Sequence, residues 1–310
     1  MDNKPTCSIV VPVYNSQGSL RQLVKQLSEI MPEVASDFEI ILVNDGSQDQ
    51  SWQVINSLCE ENSRIYPIEL MRNFGQHNAT LCGIRSAKFD VVITIDDDLQ
   101  NPPEEIPLLL AKLKEGYDVV YGTPQNFRQK FWRSMASRVI RLVLRNLMGN
   151  EIAWQVSSFR AFHTSIREAF SNFTNPSVFI DVLLTWGAQK FTYLPVRQNS
   201  RPIGNSTYSF SKLLGLSINM ITGFSTIPLR AATMIGFFFS LFGIGVLIYV
   251  LIRYFIVGGS IPGFPFLASV ISIFSGAILF SLGIMGEYLG RIFTQSMGQS
   301  SYIIRKGEYK

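Results

Sequence analysis

Three consecutive acids, Asp96-Asp97-Asp98, follow the apolar run VVITI and lead into Leu99-Gln100. Adjacent carboxylates repel one another, and each makes ionisation of the others more costly. A bound divalent cation removes that penalty. Asp96 and Asp98 are two positions apart and so share one side of an extended segment. Oxygen donors in that arrangement suit Mg2+ or Mn2+, and a metal there neutralises a leaving diphosphate. The same acids also fit an exposed loop capping a helix that begins near Pro103, and the motif alone leaves both readings open. A second polar cluster, Asn44-Asp45-Gly46-Ser47-Gln48-Asp49, again ends an apolar run. Asp and Gly stand there in ordinary β-turn positions, and Asp45 is equally suited to accept hydrogen bonds from a base or ribose. A third stretch, Met71-Arg72-Asn73-Phe74-Gly75-Gln76-His77, reads as a loop opening a helix, with His77 by itself more structural than catalytic.

These clusters need a scaffold. Residues 8–11, 39–43, 65–70, 91–95 and 118–121 are short apolar runs that read as strands, and 20–30, 52–59, 77–87 and 103–114 have helical spacing. The alternation predicts a mostly parallel α/β sheet covered on both faces. Ligands of such sheets bind beyond the carboxyl ends of the strands. Tyr14-Asn15, Asn44-Asp45-Gly46 and Asp96-Asp97-Asp98 all fall at those ends, so one site built from three loops is expected.

The rest of the 310 residues has a different character. Hydrophobic residues make up 47% and charged residues 16%, well below the usual share of about 25% charged. Residues 231–252 and 266–286 hold no Asp, Glu, Lys or Arg, and each run is long enough to cross about 30 Å of hydrocarbon. Between them, 258–265 has three Gly and two Pro and reads as a tight external turn, with Arg253 snorkelling beside it. Arg230 precedes the pair, and Arg291, Arg305, Lys306 and Lys310 follow it, which puts both termini in the cytoplasm by the positive-inside rule. The N-terminus has no long apolar stretch, so it does not look like a signal peptide and the first domain is expected to stay in the cytoplasm. Segment 129–147 interleaves Arg133, Arg138, Arg141 and Arg145 with apolar residues, as a solvated helix or a membrane-surface helix would. The expected division is a catalytic domain over 1–205, interfacial amphipathic helices over 206–230, a transmembrane hairpin over 231–290 and a tail over 291–310. A net charge of +4, dispersed, does not argue for nucleic acid and suits anionic lipid or phosphate. Cys7, Cys59 and Cys82 have no metal or redox spacing and are expected as reduced thiols.

Taken in order, SIVVPVYN, VNDGSQD, RNFGQHNA and DDDLQNPPEEI resemble the family 2 glycosyltransferases of the GT-A fold. Two spans followed by Gly286-Glu287-Tyr288-Leu289-Gly290-Arg291 make the chain similar to the polyprenyl-phosphate glycosyltransferases, a group that includes dolichyl-phosphate mannose synthases and bacterial enzymes that load undecaprenyl phosphate. The resemblance covers essentially the whole chain. It implies inverting transfer of a sugar from a nucleotide-sugar, a UDP-sugar, to a polyprenyl phosphate such as undecaprenyl phosphate. That transfer takes place at the cytoplasmic face of a bacterial inner membrane, serves cell-envelope glycan or lipopolysaccharide modification, and uses Mg2+ or Mn2+. Pro12, Tyr14, Asn15, Asp45, Asp96 and Asp97 would hold the nucleotide, and Asp96, Asp98 and Gln100 the metal. Arg128, Arg160 and Arg201 would meet the acceptor phosphate, and Asp97, Arg160 and Arg201 would be catalytic. A homo-tetramer is also implied.

Three positions depart from the family pattern. Ser16 stands where a Glu usually follows Tyr-Asn. Trp154-Gln155-Val156-Ser157-Ser158 stands where an acid often precedes the arginine of Ser158-Phe159-Arg160. Thr207 stands where a Lys is common. The sequence speaks against two other functions. A processive polysaccharide synthase carries a Gln-x-x-Arg-Trp motif that is absent here. A non-catalytic scaffold with a decayed transferase domain is opposed by the intact DDDLQ run.

Overall fold

The computed structural model describes residues 4–125, 152, 155–199, 227–257 and 263–307. Arg128, Arg201, Trp154, Thr207, the basic segment 129–147, segment 206–226 and turn residues 258–262 lie outside the described residues.

The chain runs β1 (Thr6–Val13), α1 (Leu20–Val34), β2 (Asp37–Asn44), α2 (Ser51–Glu61), β3 (Ile65–Leu70), α3 (Gln76–Ser86), β4 (Val91–Thr94), a 3-10 turn (Pro103–Glu105), α4 (Ile106–Lys114) and β5 (Val119–Pro124). Then follow β6 (Arg160–His163), a 3-10 turn (Thr164–Phe170), α5 (Ile180–Gly187), β7 (Phe191–Val196), α6 (Ile227–Val257), α7 (Phe264–Ser296) and β8 (Ile304–Gly307). Two compact units result, residues 1–217 with 298–310, and residues 218–297.

In the first unit the eight strands form one sheet in the order β7-β5-β6-β4-β1-β2-β3-β8. β1 is buried from Cys7 to Val13 and pairs in parallel with β2 on one side and β4 on the other. A strand buried on both faces needs a continuous apolar run, which TCSIVVPV supplies. β4 ends at Thr94 opposite Val10, so Pro12 lies past its reach and its missing N–H breaks no pairing on that side. The α/β architecture is the one the alternating pattern implies. β6 is inserted antiparallel between β4 and β5, and β8 pairs antiparallel with β3 at the far edge. α1 buries Leu20, Leu23, Val24, Leu27 and Met31 as one stripe on the sheet. α3 approaches β1 so closely at Gly83 that an added Cβ would lie 2.3 Å from a methyl of Val10.

One polar knot sits inside the sheet. Glu39 is 2% exposed. Its Oε1 accepts hydrogen bonds from Ser8 Oγ (2.7 Å) and Lys88 N (2.8 Å), and Ser8 Oγ accepts from Phe89 N (3.1 Å). β1, β2 and the segment entering β4 are thereby tied at one level. Of the three cysteines, Cys7 and Cys82 are buried and all are free thiols, with burial pushing each up, Cys7 and Cys82 to about 12 and Cys59 to about 11.

The second unit is a pair of helices long and apolar enough to cross a membrane. α6 and α7 contain the two uncharged runs of the sequence and extend beyond them. Phe274 packs on Phe239 (5.9 Å between ring centroids) and Phe242 (6.4 Å), over Gly243. Phe237, Phe238, Leu241, Phe255 and Ile256 are exposed, a distribution suited to lipid rather than water. Arg253 Nη1 donates to Tyr249 Oη one turn back (3.1 Å). The segment read as a tail over 291–310 has structure of its own. Residues 291–296 finish α7, and 304–307 form β8 in the sheet of the first unit.

Glu39→Ala leaves Lys88 N and the Ser8 hydroxyl without their buried acceptor, whereas Ser8→Ala leaves Glu39 still bonded to Lys88 N. Thermal or denaturant melting of the purified protein should show a loss of about 3 kcal/mol for Glu39→Ala and about 1–2 kcal/mol for Ser8→Ala. Equal, negligible losses would mean that the knot contributes nothing.

Candidate active site

Because β1, β2, β3 and β4 run parallel, their carboxyl ends open on one edge of the sheet. Four turns meet there. Asp45, 2% exposed, accepts hydrogen bonds from Phe74 N (2.7 Å) and Gly75 N (2.8 Å), so the turn after β2 holds the loop after β3. Gly46 makes that approach possible. It has φ +67°, and a Cβ there would lie 2.6 Å from Asn73 N. Burial pushes the Asp45 carboxyl up to about 6, the two amides opposing the rise. Its role is first structural, and the base or ribose contact expected of it must share these lone pairs.

Tyr14 is about half exposed. Asn15 takes a left-handed conformation (φ 53°), its N–H donates to Ser47 Oγ (3.0 Å) and its Oδ1 accepts from Gln48 N (2.8 Å). A short polar side chain bonded locally is what tolerates that backbone.

The three aspartates diverge. Asp96 accepts from Ser158 Oγ (2.5 Å) and Gln76 Nε2 (2.6 Å). Asp97 accepts from Ser16 Oγ (2.5 Å) and Tyr14 N (3.1 Å). Asp98 accepts from Gln100 N (3.1 Å) and Gln100 Nε2 (2.6 Å). Burial raises Asp96, with Asp98 adding repulsion, and burial pushes Asp97 up to about 6. Leu99 has φ 60°, a costly conformation for a bulky side chain, and is held by its own burial and by the residues after β7, where Asn199 N donates to Gln100 O (2.9 Å).

This geometry tests the expected metal set. Asp97 turns to the β1–α1 turn. Gln100 donates its Nε2 to Asp98 and so supports that carboxylate, while among the described residues its Oε1 accepts only a 3.3 Å bond from Gln198 Nε2. Asp96, Asp98 and the Gln100 side-chain carbonyl oxygen are the available oxygen donors. Among the described residues no three His, Cys, Asp or Glu side chains cluster as a closed metal cage. Two carboxylates with diphosphate and water completing the shell is the pattern Mg2+ and Mn2+ prefer in nucleotide sites, and the residues fit it.

Behind Asp96 lies a cavity of about 220 Å³ lined in part by Pro12, His77, Asp96, Ser158, Arg160 and Asp181. Its back wall is a buried network. Arg160, 3% exposed, forms an ion pair through Nη1 with Asp181, and its Nε donates to Thr94 Oγ1 (3.1 Å). Tyr121 Oη donates to the same Asp181 oxygen (3.2 Å), and Thr94 Oγ1 donates to Ser158 O (2.5 Å). Burial lowers the pKa of His77, beside Phe179, with Asp181 opposing and Arg160 lowering it further. The acceptor-phosphate role expected of Arg160 therefore meets a competitor, since Asp181 already answers its charge. Asp181 was not singled out from the sequence. The signal was present as one acid inside the apolar run Val178-Phe179-Ile180-Asp181-Val182-Leu183. Pro12 and Asp96 lie at the cavity, Tyr14, Asn15 and Asp45 in the adjoining turns, and Arg128 and Arg201 outside the described residues.

The glycosyl transferase family 2 model matches residues 8–172, the span that carries all four turns and the cavity's arginine. The chain belongs to this family. Undecaprenyl-phosphate 4-deoxy-4-formamido-L-arabinose transferase of Enterobacter sp. (strain 638) is 37% identical over 302 residues, 96% of this chain and 92% of that one. Glucosyl-3-phosphoglycerate synthase from Mycobacterium tuberculosis, solved in complex with UDP, superposes with a TM-score of 0.51 at 17% identity over 70% of this chain and 78% of that one. The same synthase with Mn2+, UDP-glucose and phosphoglyceric acid gives a TM-score of 0.50 at 18% identity, again over 70% and 78% of the two chains. These likenesses show the fold, and the transferase has the GT-A-like α/β domain expected of the family.

Removing one member of a buried ion pair strands the other. Arg160→Met should destabilise the transferase by about 3–5 kcal/mol, and Arg160→Met with Asp181→Leu should recover most of that loss. Melting of the two single variants and the double decides it. Simple additivity of the single losses would remove the pair as the cavity's structural back wall.

Proposed function

We propose that the transferase moves a sugar from a UDP-sugar to undecaprenyl phosphate, with inversion, at the cytoplasmic face of a bacterial inner membrane, for cell-envelope glycan or lipopolysaccharide modification. The observation that carries this reading is the half-open polar cavity that ends on Asp96, close to Asp98 and next to the nucleotide turns. Its volume suits a monosaccharide. The acceptor is supported by the printed activity of the relative that spans 96% of the chain, and by two apolar helices that suit a lipid-borne substrate. The donor and a divalent cation are supported by the fold neighbour holding Mn2+ and UDP-glucose.

Asp96, Asp98 and the Gln100 side-chain carbonyl oxygen would hold Mg2+ or Mn2+, which when bound neutralises charge on the departing diphosphate. The turns at Pro12, Tyr14, Asn15 and Asp45 would seat the nucleotide, and the cavity would orient the sugar. A phosphate oxygen of the acceptor then forms the new bond to the anomeric carbon. The bond from that carbon to the diphosphate oxygen breaks, and its electron pair leaves with the nucleoside diphosphate. A phosphate monoester has a second pKa near 6 and is largely dianionic at neutral pH. No general base is needed, which fits Ser158 at the position where relatives often carry an acid. Arg128 and Arg201 would draw in the acceptor phosphate, with Arg160 contributing through its pair with Asp181.

The test incubates membranes holding the full chain with a panel of nucleotide-sugars and polyprenyl phosphate, and identifies the lipid product by mass. Asp98→Asn or EDTA should lower turnover at least ~100-fold, about 2.7 kcal/mol, while Ser158→Ala stays within about tenfold. Full activity in EDTA would refute the metal, and a folded but inactive Ser158→Ala would demand a proton transfer this reading omits. Absence of any lipid-linked sugar would refute the acceptor. For the membrane unit, a reporter fused after Lys310 should read as cytoplasmic and one inserted at Gly259 as external, by the charge bias around the two spans. The reverse pattern would put the site on the side without nucleotide-sugar.

A further inference from the structure

Asp97 is the member of the acidic run that faces neither the cavity nor Asp98's glutamine. Its Oδ2 accepts from Tyr14 N (3.1 Å) and Ser16 Oγ (2.5 Å), both in the turn between β1 and α1. Ser16 is also the residue that departs from the family pattern, where a Glu follows Tyr-Asn. We propose that Ser16 and Asp97 form a matched pair, one in the β1–α1 turn and one just past the end of β4, that positions the Tyr14–Asn15 turn.

The turn needs such an anchor. Asn15 is left-handed, so Tyr14 and Ser16 stand on either side of a backbone that is unfavourable unless pinned. Asn15 N bonds to Ser47 Oγ and Ser16 N to Ser51 Oγ (2.8 Å). Tyr14 N has Asp97. Ser16 O in turn accepts from Ser19 N (3.1 Å) and Leu20 N (3.3 Å), so the same residue fixes where α1 begins. Displacing Ser16 moves the nucleotide turn and the helix start together.

The pair is matched by charge as well as by size. Ser16 contributes a hydroxyl donor at 2.5 Å from a carboxylate oxygen. A Glu at position 16 beside Asp97 would bring two acids together next to a third and a fourth, Asp96 and Asp98, where like charges are poorly screened. With Asp97 removed, a Glu at 16 meets a vacated space, and its carboxylate takes over from Asp97 as acceptor for Tyr14 N, the Ser16 hydroxyl having gone with the substitution. Asp97 is thus a positioning residue rather than a ligand of the metal or a group on the reacting carbon. The link to catalysis rests on the donor reading above, in which this turn seats the nucleotide.

The test is a double-variant cycle on the full-length protein: Ser16→Glu, Asp97→Ala and the two combined, with Asp97→Asn as a conservative control. Each single change should raise the KM for the nucleotide-sugar at least about tenfold while kcat stays within about threefold, and the combined variant should return to within about threefold of the parent. Asp97→Asn keeps an acceptor oxygen for Tyr14 N and should lie near the parent. Melting temperature is measured on the same four proteins without donor, and should show the same rescue in the combined variant. If the parent uses no UDP-sugar, the donor reading falls while the cycle in melting temperature still tests the pair. Effects that simply add, in KM and in melting, overturn the proposal. So does an Asp97→Ala protein that folds normally, keeps its donor KM and loses kcat, because Asp97 would then act on the reaction itself.

Discussion

Three ionisable carboxylates on consecutive residues cannot share one small volume, and the loop after β4 is arranged around that repulsion. Each acid is turned to a different set of donors. Asp96 is met by Ser158 and Gln76, Asp97 by Ser16 and Tyr14, and Asp98 by Gln100. Those partners come from the β1–α1 turn, the start of α3 and the segment before β6. The divergence of the acids therefore binds separate parts of the sheet's open edge into one site. The strained backbone at Leu99 is the local cost of turning the chain sharply enough to separate them.

The parallel centre of the sheet makes this convergence possible, and the antiparallel insertion of β6 completes it. β6 lies between β4 and β5, so Arg160 at its first residue is delivered beside Thr94 and Tyr121. The Arg160–Asp181 pair then closes the back of the cavity. A buried pair of this kind contributes little net stability against an apolar alternative, and its value lies in the shape and polarity it imposes. Under the proposed transfer to an already ionised phosphate, a rigid polar wall matters more than a titrating base.

Much of this was legible in the residues. The runs IVVPV, EIILV and VVITI announced central strands because a parallel strand covered on both faces has to be apolar throughout. The polar clusters at their ends located the site. The resemblance of four ordered motifs named the family. The rest was hidden for physical reasons. β6 is the four residues RAFH with a polar residue at each end, and β8 carries Arg305 and Lys306, so neither shows an apolar alternation. Which way each aspartate points depends on donors distant in sequence, such as Ser16 for Asp97. The partner of Arg160 is likewise an acid twenty-one residues later, on a helix, and no local spacing reveals it. Its pattern as a lone charge in an apolar run was the available clue.

The last strand has a consequence for how the molecule is made. β3 pairs with residues 304–307, which follow both apolar helices in the chain. During synthesis the margin of the sheet at β3 therefore stays open until both apolar helices have been made and residues 304–307 emerge. An unpaired strand edge is the part of a nascent sheet most prone to joining another chain. The order of the sequence couples two events that are chemically unrelated, delivery of the apolar helices and sealing of the sheet. A ribosome that stops short of residue 304 releases a domain with the turns after β1, β2, β3 and β4 in place beside an adhesive edge. Residues 304–307 are the seal of that edge.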